Sequence, residues 1–67
     1  MRAAAKTVEF RLRSARGHLD GVINMVEDDR YCIDVLHQLS AVQGALDRVR
    51  RDILEAHLRG CVPEAVA

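Results

Sequence analysis

The sequence predicts an all-α fold, and three observations carry that prediction. Apolar residues make up 49% of the chain, yet Phe10 and Tyr31 are its only aromatics and Trp is absent. The apolar share is therefore mostly Leu, Val, Ile and Ala, a composition that builds helical bundles. Glycine is confined to positions 17, 21, 44 and 60 and proline to 63, which leaves little material for hairpin turns. Finally, the apolar residues recur at alternating steps of four and three, the period of one face of a helix.

The first helix is expected over residues 4–26, on a stripe of Val8, Leu12, Ala15, Leu19, Val22 or Ile23, and Val26. Lys6 and Arg13 fall about opposite that stripe, with Arg2 and Arg16 alongside. Glu27-Asp28-Asp29 then interrupts the pattern, and one of these carboxylates is expected to cap a following helix and complement its dipole. A short turn there makes an antiparallel hairpin. The second pattern runs through Val35, Leu36, Leu39, Val42, Leu46, Val49, Ile53 and Leu54 with no breaker before Gly60 and Pro63. That helix is near thirty residues, about 45 Å long. Val35, Val42 and Val49 form one apolar line beside another of Leu36, Leu39 and Leu46; one is free to face the first helix and the other a second chain. Sixty-seven residues make a single domain, 1–67, whose own core is marginal unless further copies complete it.

Formal charge cancels, but its layout is uneven. Arg2, Lys6, Arg11, Arg13 and Arg16 face only Glu9 in the first sixteen residues, whereas Asp20, Glu27, Asp28, Asp29, Asp34 and Asp47 face only Arg30 in residues 17–47. A basic end on a neutral protein fits a polyanionic partner and also fits an ordinary solvated surface. No apolar run approaches a membrane span or a signal peptide, so the chain is expected to be cytoplasmic. In that compartment two cysteines are metal ligands, reactive thiols or core residues before they are a disulfide.

Cys32, His57 and Cys61 are the constellation with chemical content. At 100° per residue, His57 and Cys61 return to within about 20° of Cys32 on the helical wheel. His57 and Cys61, one turn apart, can hold the same ion. Cys32 stands roughly 38 Å away along the axis, so a single straight helix cannot close a three-ligand site. An antiparallel two-fold pairing of long helices brings Cys32 of one chain beside His57 and Cys61 of the other, with the symmetry point near Ala45 and the small Gly44 and Ala45 allowing close approach. Gln43 and Arg50 share the ligand line, and core packing does not account for them. The same spacing also fits two buried thiols beside a helix-end imidazole. Tyr31 can hydrogen-bond next to the site or simply pack; His18 and His37 read as ordinary surface or interface residues. Two thiolates and one imidazole form a soft set suited to copper(I), while zinc prefers a fourth ligand. With no cleft or oxyanion loop in prospect, an enzyme is not expected.

The segment MVEDDRYCIDVLHQLSAVQGALDRV, followed by LEAHLRGCV, resembles the CsoR/RcnR family of bacterial metal- and stress-sensing repressors over nearly the whole chain. That resemblance implies antiparallel helical dimers, each a four-helix bundle, assembling into tetramers that bind operator DNA without effector and release it with effector. By position, Cys32, His57 and Cys61 match the copper(I) ligands of the family's copper sensors, and Tyr31 matches a residue just outside them. Arg11 and Arg48 match DNA-contacting arginines; Lys6, Arg13 and Arg16 are further phosphate-seeking residues by their charge. No helix-turn-helix is recognisable, so DNA shape is the expected readout. Nickel and cobalt sensors tend to carry His where Cys61 stands. Formaldehyde sensors resemble one another in a proline at the second residue, occupied here by Arg2, and persulfide sensors keep two cysteines without the histidine. Copper(I) is thus the expected effector, with a thiol- or persulfide-responsive, or formaldehyde-responsive, repressor as the alternative. The sequence ends at Ala67, before the third helix that copper-sensing relatives place further on.

Overall fold

The computed structural model describes the backbone of residues 1–61 and the side chains of residues 1–59. A single 3-10 turn, Arg2–Ala4, leads into α1 (Ala5–Glu27), which a short connection joins to α2 (Cys32–Ala56); a π turn, His57–Cys61, continues α2. The second helical rod therefore runs from Cys32 to Cys61, as its uninterrupted sequence pattern requires. The two helices form an antiparallel hairpin 50 Å long and 18 by 14 Å across. Among the described residues no helix is long and apolar enough to cross a membrane.

Among the described residues five are buried: Val8, Ala15 and Val22 on α1, Val42 and Val49 on α2. Each set is spaced by seven. Half-buried Arg11, His18 and Met25 fill the steps between on α1, with Ala4 of the 3-10 turn before them, as do Val35, Ala45, Asp52 and Ala56 on α2. This four-and-three alternation is a coiled-coil seam, and its small Val and Ala side chains let the helices pack closely. The broad stripe expected on α1 thus divides. Leu12, Leu19, Ile23 and Val26 lie off the seam and remain exposed. On α2 the valine line faces α1, and Leu36, Leu39, Leu46, Ile53 and Leu54 are left uncovered.

The acidic turn also behaves differently from expectation: it ends α1 and does not cap α2. Asp29 adopts φ 54°. Its N–H donates to the Val26 carbonyl at 3.1 Å while the Arg30 N–H donates to the Met25 carbonyl at 3.0 Å. These two bonds and the left-handed residue are a Schellman closure, which satisfies the orphan carbonyls of the helix end. The N-cap of α2 is Tyr31, with no side-chain cap bond, and the first-turn carboxylate is Asp34. Asp29 takes the closing position because aspartate tolerates the left-handed region better than most non-glycine residues.

Candidate metal centre and nucleic-acid face

On both helices the uncovered leucines lie about 100° onward from the seam in the same rotational sense. In an antiparallel pair, that rotation lands on the same side of the hairpin. One broad face therefore carries Leu12, Leu19 and Ile23 from α1 with Leu36, Leu39, Leu46 and Ile53 from α2, all exposed in the single chain. The line through Cys32 and His57 runs down the middle of this face.

Cys32 opens α2 as a free, exposed thiol. His57 is half-buried at the other end, where the α-helix passes into the π turn. A π turn closes i to i+5 and is frequent at functional sites. The Cys61 backbone completes that turn, and its thiol lies outside the described residues. Twenty-five residues of α2 separate Cys32 from His57, about 37 Å of helix. Accordingly, among the described residues no three ligand-type side chains gather in one chain. Tyr31 is exposed beside Cys32.

Gln43 and Arg50, unaccounted for by core packing, are exposed, and Arg50 lies 3.9 Å from Asp47. The small pair expected at a two-fold point is turned away from this face: Ala45 is half-buried at the seam, and Gly44 lines a groove on the opposite side of the hairpin. Gln43 and Leu46 occupy the midpoint instead. The expectation failed because a helix rotates 100° per residue, so neighbours in sequence cannot share a line.

Basic residues are spread around the rod, with Arg50 on the leucine face and Arg16 at its border. Lys6, Arg16 and Arg48 are exposed, and Arg13 is exposed but held by Glu9 at 3.0 Å. Arg11 is the exception, because it sits in the seam with its Nε 3.0 Å from Asp52 Oδ2. Both atoms are shielded from water, and their alignment does not make a hydrogen bond. A second polar pair crosses the seam higher up, where His18 Nε2 lies 2.7 Å from Gln38 Oε1. A carbonyl oxygen only accepts, so the ring nitrogen donates. The sequence reading missed Asp52 and Gln38. Their signal was present, since each stands three residues beyond a seam valine, at Val49 and Val35.

Comparison with known proteins places these features in a family. Residues 4–67 match the model of the metal-sensitive transcriptional repressors. The copper-sensing transcriptional repressor CsoR of Mycobacterium ulcerans is 57% identical over 56 residues, covering 84% of this chain and 48% of that protein. The protein of the same name from Bacillus subtilis is 48% identical over 56 residues, covering 84% of this chain and 55% of its own length. The chain thus spans about half the length of these curated relatives. The crystal structure of the copper-sensing repressor CsoR with Cu(I) from Geobacillus thermodenitrificans superimposes with a TM-score of 0.86 at 42% identity, over 98% of this chain and 69% of that one. With the seam, the uncovered face and these matches together, the chain belongs to the family of metal-sensitive transcriptional repressors.

Proposed function

We propose that this chain is a copper(I)-responsive repressor, active in the cytoplasm and without enzymatic activity, whose metal-free oligomer binds operator DNA and whose copper-loaded form releases it. The observation that carries the reading is the placement of Cys32 and His57 on one uncovered leucine face at opposite ends of α2. The relatives named for copper sensing and the Cu(I)-containing neighbour support the choice of metal. Two copies paired face to face and antiparallel, with the midpoint near residue 45, set Leu36 opposite Leu54 and Leu39 opposite Ile53 and cover both leucine faces in a four-helix bundle. Cys32 of one chain would then hold the ion together with His57 and Cys61 of the other, and two such dimers complete a tetramer. Thiolate and imidazole donors suit Cu(I), which takes few, soft ligands. Tyr31 stands just outside this set. Lys6, Arg11, Arg13, Arg16 and Arg48 supply the positive charge for DNA phosphates.

The effector acts only if it prefers one arrangement of the dimer over the other. Anaerobic titration of Cu(I) against a competing chelator, with a labelled duplex present, is expected to release DNA as two equivalents per dimer bind, and Cys32→Ser is expected to abolish both events. Unchanged DNA affinity in the metal-loaded protein overturns the proposal. The exposed, free Cys32 also favours a second reading, a persulfide-responsive thiol switch joining Cys32 and Cys61 across the dimer. Mass spectrometry after persulfide treatment then shows a cross-linked dimer; unmodified thiols eliminate it.

A further inference from the structure

The side of the hairpin opposite the leucine face carries a shallow groove of about 460 Å³ lined by Phe10, Arg11, Ser14, Ala15, His18, Gly44, Ala45 and Arg48. Two arginines line it and no carboxylate does. At its rim stands Phe10, 71% exposed, the most exposed of the large apolar side chains. On the surface of α1 its neighbours at i−4, i+3 and i+4 are Lys6, Arg13 and Ser14. A large aromatic left exposed is costly in water, and pairing through the leucine face leaves it bare.

We propose that Phe10 is a DNA-contacting residue, an apolar contact to the sugars or base edges of a duplex whose phosphates are neutralised around it by the exposed Lys6 and Arg48. The inference rests on the DNA-binding reading above and adds to it a contact that is not electrostatic. Charge selects DNA as the occupant over a second copy of the chain, because exposed Arg48 in the groove and Lys6 beside Phe10 would meet their own like charges on self-docking, a repulsive arrangement. Gly44, in the groove with nothing within 4 Å of where a Cβ would stand, leaves room for a backbone to approach. Proteins that bend or read duplexes by shape use apolar side chains in this way, beside arginines that fix position on the phosphates.

Phosphate contacts and apolar contacts separate by salt dependence. A short fluorescein-labelled duplex, enriched from a random library by the wild-type 67-residue chain, serves as the probe. Phe10→Ala is expected to weaken its binding on the order of tenfold while leaving the slope of log affinity against log salt unchanged, whereas Arg48→Ala lowers that slope by about one. Because the chain has no Trp, Phe10→Trp gives a unique emission, expected to change on duplex binding while affinity is kept. Affinity unaffected by Phe10→Ala, or Phe10→Trp emission unmoved in a bound complex, overturns the inference while sparing the DNA-binding reading. Loss of oligomer in sedimentation of Phe10→Ala assigns the groove to a second copy and overturns it too. A wild-type chain that enriches no duplex removes both.

Discussion

Arg11 shows how one side chain is claimed by two roles. Its resemblance to a DNA-contacting residue and its position three after Val8 point in different directions, and the fold satisfies the second by pairing it with Asp52 in the seam. Neither partner is fully buried, so the pair lies between an exposed ion pair, worth little, and a buried one, whose loss strands a charge. Asp52→Ala is expected to lower stability to urea by about 1 kcal/mol, and adding Arg11→Leu should restore most of it, since an apolar pair suits the same positions. A double mutant as unstable as the single one would show that the pair is not the cause. That Cys32 and His57 share one line of α2 was legible from sequence, because angular position along a helix needs no tertiary information. For Asp52 the same spacing marks a seam position, but its pairing was not legible, because its partner stands forty-one positions away.

At the scale of elements, both helices and their antiparallel order followed from periodicity and from the acidic interruption between them. What that interruption does is a matter of backbone conformation. Asp29 closes α1 with positive φ, and the two bonds around it fix the exit of the chain toward α2. A β-branched residue is strained there, so Asp29→Val is expected to cost about 1–2 kcal/mol, read from urea melts at matched protein concentration. No loss of stability on that substitution would contradict the closure. Composition marked the segment as a turn; Schellman and N-cap roles look alike in sequence, because both draw on short polar residues.

For the molecule as a whole, shape is the telling quantity. Its radius of gyration is 15.6 Å, against about 11 Å for a compact domain of this length. A two-helix rod buries only a narrow seam, and the leucine face, far larger than scattered surface residues, marks an interaction surface. Leu46 sits near the centre of that face and is exposed in the single chain, outside the buried line of Val42 and Val49. Leu46→Glu is therefore expected to keep the helical hairpin but convert the oligomer to monomer in sedimentation velocity, and to abolish Cu(I) binding with all three ligand residues intact. Copper bound at full affinity by a Leu46→Glu monomer would refute the shared site.

By itself the sequence determined the two helices, their lengths and the line shared by Cys32 and His57, because each of these depends only on rotation and rise along one helix. Tertiary structure decided which of two apolar lines faces inward. The hydrophobic pattern favours burial of both equally, and only the close approach that small side chains permit selects the valines and alanines for the seam. That choice leaves the leucines, with Cys32 and His57 among them, uncovered in the single chain.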